Sequence, residues 1–273
     1  MATFTTSDGV SIYFDISGSG PPLLCLAGLT RNSTDFDYAM PSLEGAQVIR
    51  MDYRGRGKSA WSNWTSYTIP REAQDALELL HHLDTGKAAI LGTSRGGLIA
   101  MLIAATAGQH LAGACLVDIG PELEQAGLDV IGGYIGRNPS QKTYGEAIAM
   151  RAELLPGFVD VPGSRWDEEV RKHYIETPQG LKINYDPALR ESVESAGTQP
   201  LPDLWPLFDA LKPVPLALIR GANSNLLSEA TAEEMRRRRP DMLYANVPDR
   251  AHVPFLDEPD AVAILKSFIR NLH

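Results

Sequence analysis

The alternation of apolar runs and amphipathic stretches along the chain predicts an α/β protein. Short apolar runs are typical of buried strands, and the chain contains them as PPLLCLAG, AQVIRMD, KAAILG, LAGACLVD, PLALIRG and LYANVPD. Stretches with helical periodicity separate them, namely IPREAQDALELLHHLD, GGLIAMLIAATAG, SEATAEEMRRRR and PDAVAILKSFIRNL. In the first stretch, Ala73, Leu77, Leu80 and Leu83 recur near one face. Because strands that alternate with helices pair in parallel, we expect a mostly parallel sheet with helices on both faces.

Two regions depart from this alternation. The opening stretch ATFTTSDGVSIYFDI contains two strand-like runs joined at Asp8-Gly9, a hairpin turn signal that predicts an antiparallel edge. Further on, GLDVIGGYIG, TYGEAIAMRAELL and RWDEEVRKHYI are helix-like, with no clear strand between them. We therefore predict a core of residues 1–119 and 205–273, with residues 120–204 inserted as a helical lid over the strand ends. The alternative is an irregular extension of the core.

Composition narrows the class of partner. A net charge of −9 argues against nucleic acid or an anionic membrane as the main partner. The four consecutive arginines from Arg236 to Arg239 end a predicted helix, where positive charge suits the helix dipole.

Cys25 and Cys115 lie in apolar runs and are expected to be buried thiols without a disulfide. No signal-like start and no apolar run of membrane-spanning length is visible, so a cytoplasmic protein is expected.

The clearest chemical motif is G-x-S-x-G, written here as Gly92-Thr93-Ser94-Arg95-Gly96 between an apolar strand and an apolar helix. A very tight turn would present Ser94 alone at its tip, and glycine on both sides avoids collisions. The following helix would point free backbone N–H groups toward the serine, where they suit a developing oxyanion. This setting indicates a nucleophilic serine rather than a glycine-rich packing turn.

Six segments, taken in order, resemble the α/β-hydrolase fold family: LLCLAGLTRN, VIRMDYRGRGKS, LGTSRGG, LVDIGPEL, RGANSNLLS and RAHVPFLDEP. The resemblance covers nearly the whole chain and is weak only within the lid. It points to the lid-bearing group that includes many esterases, lactonases and carbon–carbon bond hydrolases. It implies an α/β-hydrolase fold, with a mostly parallel central sheet and a helical lid, and no metal or organic cofactor.

The same resemblance implies roles for individual residues. Ser94 matches the nucleophile, and His252 matches the catalytic histidine between the last strand and the final helix. A serine hydroxyl needs a base within hydrogen-bond reach, and His252 is the histidine that lies in a suitable loop. The backbone N–H groups of Leu29 and Arg95 match the oxyanion hole. Members of the family often have the sequence His-Gly in the first of these loops, whereas this chain has Ala-Gly-Leu there. The backbone N–H of Leu29 can donate without that histidine.

The acid of the triad is the uncertain member. Members of the family commonly have the motif R-G-x-x-S-D, and this chain has Asn225 at the position of that Asp. An amide can accept a hydrogen bond from the histidine, but losing the charge lowers turnover in a serine protease by about 10⁴. Three explanations stay open: an engineered substitution that traps substrate, an acid moved to Asp118 after the preceding core strand, or a natural low-activity or non-catalytic member. Asp118 could also serve only to hold the lid entrance together.

The function that these residues favour is a serine hydrolase acting on a small ester or lactone, as a monomer or homodimer. Further candidates for substrate contact are Arg31, the side chain of Arg95, Tyr134 and Trp205; the competing interpretations are surface or lid ion pairs and anchoring of the lid. Carbon–carbon hydrolases and perhydrolases use the same triad. A non-catalytic ligand-binding or regulatory protein is the alternative from another class, since fold alone does not decide function.

Overall fold

The computed structural model describes residues 2–198 and 202–272, and its centre is an eight-stranded sheet. The strands of this sheet are β1 (Ala2–Thr5), β2 (Ser11–Gly18), β3 (Pro22–Leu26), β4 (Gln47–Met51), β5 (Ala88–Thr93), β6 (Leu111–Val117), β9 (Leu216–Gly221) and β10 (Leu243–Val247), and two more strands, β7 (Tyr174–Thr177) and β8 (Gly180–Ile183), lie outside it. The helices are α1 (Ile69–His82), α2 (Arg95–Ala107), α3 (Gln125–Tyr134), α4 (Tyr144–Leu154), α5 (Gly163–His173), α6 (Leu189–Gly197), α7 (Trp205–Asp209), α8 (Glu229–Arg238) and α9 (Pro259–Arg270).

The sheet has the parallel arrangement and antiparallel edge that the sequence predicts. Its strand order is β1-β2-β4-β3-β5-β6-β9-β10. Strand β2 pairs antiparallel with β1 and with β4, and every other neighbouring pair is parallel. Loops that follow β3, β5, β6, β9 and β10 therefore meet at one edge of the sheet, which is where parallel α/β sheets carry their sites.

Side chains on the strands alternate between two buried clusters, one on each face of the sheet. Leu24 and Ile90 belong to the cluster that includes residues of α1 and α2. Leu23 and Leu91 belong to the cluster that includes residues of α9. Because helices cover both faces, the strands are buried on both sides and form a rigid base for the loops at their ends.

The structure shows where the two cysteines and the run of four arginines lie. Cys25 and Cys115 are buried free thiols, as predicted, and burial raises the pKa of both. The cluster from Arg236 to Arg239 pairs with acidic neighbours, among them Glu233 and Asp241. Over residues 2–198 and 202–272, no helix combines the length and the apolarity needed to cross a bilayer.

The segment between β6 and β9 contains α3 to α6 and a separate antiparallel strand pair, β7–β8. The sequence predicts a helical insertion with no clear strand between its helices, whereas the β7–β8 pair that follows α5 makes the segment only partly helical. RWDEEVRKHYI reads as one helix, yet α5 ends at His173 and Tyr174 begins β7. The β-branched residues Ile175 and Thr177 favour extended backbone, and Gly180, at a φ of 122°, lies in a conformation that glycine adopts readily.

The β6–β9 segment contacts core loops on two sides of the carboxyl end of β5. On one side, Asn223 Nδ2 donates to the carbonyl of Gly157 at 2.9 Å. On the other side, Arg31 Nη2 donates to Glu169 Oε2 at 2.9 Å. Residues 199–201, at the end of the predicted insertion, lie outside the described part of the chain.

Candidate active site

Ser94 is the single residue between β5 and α2, at the tip of a sharp turn. Its φ of 50° and ψ of −112° are unusual for a residue with a side chain. Its backbone N–H donates to the carbonyl of Val117 at 2.9 Å, which ties the turn to the end of β6. The side chain therefore stands at the carboxyl edge of the sheet, as the motif predicts.

The glycines beside Ser94 are required by close packing. A Cβ at Gly92 would lie 2.5 Å from the carbonyl carbon of Gly96. A Cβ at Gly96 would overlap the carbonyl oxygen of Leu26 in β3. Larger residues at either position would push α2 away from the sheet.

His252 lies between Ser94 and a buried carboxylate. Its Nε2 is 3.0 Å from Ser94 Oγ, and its Nδ1 is 2.7 Å from Asp118 Oδ2. Asp118 directly follows β6, as Ser94 directly follows the neighbouring β5, and both residues have a φ close to 50°. The loop after β10 brings His252 to the same edge.

Asp118 is fully buried and well supplied with donors. Its Oδ1 accepts from the backbone N–H of Gly221 at 2.8 Å. Its Oδ2 accepts from Ser224 Oγ at 2.6 Å as well as facing His252. These hydrogen bonds fix the orientation of the carboxylate toward His252.

The structure places Asp118, not Asn225, against His252. Asn225 is exposed, and its backbone carbonyl packs close to Gly127 at the start of α3. The chain leaves β9 at Gly221 and turns away from His252 before it reaches Asn225. Of the two acid positions considered from the sequence, the geometry therefore corresponds to the one after β6.

The two expected oxyanion donors are available. Leu29 lies in the loop after β3, and Arg95 is the first residue of α2. Within the described ranges, neither backbone N–H donates to a protein acceptor. A Cβ at Gly28 would lie 3.9 Å from Ser94 Cβ, so this loop runs directly beside the serine.

The Arg95 side chain is occupied by other contacts and does not face a substrate. Its Nε donates to Glu72 Oε2 at 2.5 Å, and its Nη2 donates to the carbonyl of Tyr67 at 3.0 Å. Glu72 is fully buried and also pairs with Arg56 at 2.8 Å. Arg56 Nε in turn donates to the carbonyl of Leu29 at 3.0 Å. The Arg95 side chain is therefore in an ion pair, as one of the two interpretations proposed. Glu72 and Arg56 connect Arg95 to Leu29, and Arg95 and Leu29 carry the expected oxyanion donors.

Arg31 begins one backbone unit from the serine and belongs to a polar cluster, and Tyr134 lies close to Arg31. Arg31 pairs with Asp35 at 2.7 Å and with Glu169 at 2.9 Å. Tyr134 ends α3 with its ring partly exposed, and burial of its hydroxyl, in surroundings that include Thr30 and Arg31, raises its pKa. Both residues thus face the space between the β6–β9 segment and the loop after β3.

Trp205 anchors the return of the chain and is not part of this group. Its Nε1 donates to Glu122 Oε1 at 2.7 Å, its ring packs edge-on against Phe208, and the Arg238 guanidinium lies 3.9 Å from the ring centroid. These contacts correspond to the proposed anchoring role of Trp205 and not to substrate contact.

Several residues of the site were missed from the sequence. Ser224 supports Asp118, and its only sequence signal is the serine that precedes Asn225 in RGANSNLLS. Glu72 lies inside an amphipathic helix, where a charge is usually read as solvated. Arg151 and His173 have no local motif, since three separated segments bring them together with Arg31.

Known proteins resemble this chain over most of its length. A profile of the alpha/beta hydrolase family matches residues 23–264. A 3-hydroxybutyrate-oligomer hydrolase of Cupriavidus necator is 32% identical, over 90% of this chain and 87% of that protein. A 2-(acetamidomethylene)succinate hydrolase of Mesorhizobium japonicum is 27% identical, over 86% of this chain and 82% of that protein. The crystal structure of an alpha/beta hydrolase from Novosphingobium aromaticivorans superposes with a TM-score of 0.91 at 34% identity, and the match covers 99% of this chain and 97% of that one.

Proposed function

Because the chain belongs to the alpha/beta hydrolase family, we propose that it is a serine hydrolase that cleaves small esters or lactones through an acyl-enzyme. The observation that carries the proposal is the continuous line from Ser94 Oγ through His252 to Asp118, with contacts of 3.0 and 2.7 Å. Asp118 serves as the acid, and Asn225 takes no part. Such a line is what an unactivated serine needs to become a nucleophile.

Acylation begins when Ser94 Oγ attacks the ester carbonyl carbon and His252 Nε2 takes the Ser94 proton. The new Oγ–C bond forms as the carbonyl π electrons move to oxygen. The backbone N–H groups of Leu29 and Arg95 receive that oxyanion. His252 then gives its proton to the leaving alkoxide as the C–O bond breaks, which releases the alcohol and leaves the acyl group on Ser94.

Deacylation repeats these steps with water. His252 Nε2 takes a proton from water as the water oxygen attacks the acyl carbon, and it returns that proton to Ser94 Oγ as the acyl bond breaks. The Asp118 carboxylate holds the imidazole in the tautomer with Nδ1–H and stabilises the imidazolium formed in each half-reaction. The proposed cycle uses no metal or organic cofactor.

The substrate class follows from the site and from relatives. The β6–β9 segment acts as a lid that limits the acyl and alcohol groups to small ones, since it contacts core loops on both sides of Ser94. A relative named for hydrolysis of 3-hydroxybutyrate oligomers supports small esters as the substrates. The complete hydrogen-bond network of Asp118 favours an enzyme over a non-catalytic binding protein, which would have no need of it.

Labelling by a fluorophosphonate probe tests the nucleophile. Wild-type protein should be labelled and should hydrolyse p-nitrophenyl acetate, and Ser94→Ala should lose both activities. Ser140→Ala, which removes an exposed hydroxyl, should keep both. Undiminished labelling of Ser94→Ala would contradict the assignment of the nucleophile. An unlabelled and inactive wild type would favour the ligand-binding alternative.

A further inference from the structure

Four cationic or imidazole side chains gather between the β6–β9 segment and the loop after β3: Arg31, Arg151, Lys172 and His173. We call them the basic cluster. Arg31 Nη1 lies 3.0 Å from His173 Nδ1, and Arg151 Nη2 lies 3.1 Å from the same nitrogen. Two guanidinium groups therefore converge on one imidazole.

The carboxylates near the cluster lie against Arg31 and Lys172, with Asp37 Oδ2 3.9 Å from Lys172 Nζ, and none of those described pairs with Arg151. Asp35 is engaged by Arg31, and Glu169 is shared between Arg31 at 2.9 Å and Lys172 at 3.9 Å. No carboxylate of the described residues lies within 4.0 Å of Arg151. Burial lowers the pKa of Arg151, and the nearby Tyr174 hydroxyl only partly offsets this effect. A buried cation without an anion is costly.

The unsatisfied polar atoms of the cluster are all donors. Arg151 Nε, Lys172 Nζ and His173 Nε2 are buried and have no hydrogen-bond partner among the described residues. Arginine can only donate, so His173 Nδ1 must accept, and the proton of the neutral ring sits on Nε2. Burial and the surrounding cations lower the pKa of His173, which keeps the ring neutral. Among the described residues, what Arg151 lacks is an acceptor that carries negative charge.

The cluster begins beside the nucleophile. A Cβ at Gly28 would lie 3.2 Å from Arg31 Cγ and 3.9 Å from Ser94 Cβ, so one backbone unit separates the base of Arg31 from the serine. From there the Arg31 side chain extends to His173 and Arg151. A ligand with its ester carbonyl at Ser94 would thus reach Arg151 through a short spacer.

We propose that Arg151, beside Arg31 and His173, binds a carboxylate of the substrate, so that the preferred substrate is a small ester that bears a carboxylate a few bonds from the scissile carbonyl. This inference rests on the proposed serine hydrolase activity. The carboxylate supplies the missing negative acceptor, and charge-assisted hydrogen bonds of this kind are the strong ones. The Arg151 charge then contributes to substrate selection rather than to the stability of the free protein.

Two matched ester pairs test the subsite, since each differs only in a carboxylate or a neutral carboxamide. The carboxylate is in the acyl part of methyl hydrogen glutarate, paired with methyl glutaramate, and in the alcohol part of 3-acetoxybutanoate, paired with 3-acetoxybutanamide. In at least one pair, wild-type kcat/KM should be about tenfold or more higher for the carboxylate member. Arg151→Met should reduce that ratio to near one, mainly by raising KM for the carboxylate member. Arg171→Gln, an exposed arginine on the same helix as His173, should keep the ratio.

Two further measurements separate this inference from the proposed function. Glutarate should bind Ser94→Ala in calorimetry and should not bind Ser94→Ala/Arg151→Met, a readout that needs no turnover. The Tm of ligand-free Arg151→Met should equal or exceed that of wild type, because an unpaired buried charge is removed. Hydrolysis of both members at equal rates, or a ratio retained in Arg151→Met, would overturn the subsite and leave the hydrolase intact. A lowered Tm would mark Arg151 as structural and contradict the inference, whereas glutarate binding without any hydrolysis would sink the proposed function alone.

Discussion

At the scale of single residues, Ser224 shows how an acid can occupy the position after β6. Its hydroxyl donates to Asp118 Oδ2 at 2.6 Å and accepts from the backbone N–H groups of Leu226 and Leu227 at 3.2 and 3.1 Å. One side chain thus connects the loop after β9 to the carboxylate that faces His252. The residue before Asn225 therefore holds the acid in place from the neighbouring loop.

Ser224→Ala should lower kcat for ester hydrolysis several-fold and lower the free energy of unfolding by about 1 kcal/mol. The Asp118 carboxylate loses a donor, so its orientation toward His252 loosens. Ser228→Ala is the matched control, since Ser228 caps α8 by accepting from Thr231 N–H, and this loss should also cost about 1 kcal/mol. Denaturant unfolding and steady-state kinetics would check both variants. Equal kcat values for the two would show that Ser224 is only a structural residue.

At the scale of elements, α1 is linked by ion pairs and hydrogen bonds to both segments that carry the proposed oxyanion donors. Glu72 on this helix is fully buried and pairs with both Arg56 and Arg95. Arg56 holds the carbonyl of Leu29, and Arg95 carries the second expected donor on its backbone. The helix therefore couples the loop after β3 to the start of α2.

Glu72→Gln should destabilise the protein by about 3–5 kcal/mol, because it leaves buried arginine charges without their carboxylate. The folded fraction should also show a lower kcat with little change in KM, since the donors at Leu29 and Arg95 lose their common support. Glu78→Gln on the same helix removes a partly exposed pair with Arg71 and should change stability by less than about 1 kcal/mol. A kcat for Glu72→Gln equal to that of Glu78→Gln would contradict the coupling.

At the scale of the whole molecule, the features that can be predicted from the sequence are those determined by residues adjacent along the chain. The turn at Ser94 needs glycine at 92 and 96 for local steric reasons, so the motif identifies it directly. The acid depends instead on how β6 and β9 end side by side, with Asp118 N–H bonded to the carbonyl of Ile219 at 2.7 Å. The sequence therefore left Asp118 and Asn225 as alternatives.

The β6–β9 segment was the hardest part to predict for a related reason. The β7–β8 pair follows α5 without a separating glycine or proline, so the helix-like sequence pattern of α5 continues into β7. The basic cluster is assembled from α4, α5 and the loop after β3, which no local pattern connects. The cytoplasmic setting and the monomeric or dimeric state stay predictions from the sequence.

The molecule brings Ser94, His252 and Asp118 together from the ends of three different strands, which makes Asp118 the proposed acid. The most direct test compares kcat of Asp118→Asn and Asn225→Asp in one esterase assay, with folding of each checked by circular dichroism. Asp118→Asn should lower kcat by about 10⁴, since the imidazolium loses its carboxylate, and Asn225→Asp should stay within a few-fold of wild type. Near-wild-type turnover by Asp118→Asn, together with a large gain in Asn225→Asp, would contradict the account.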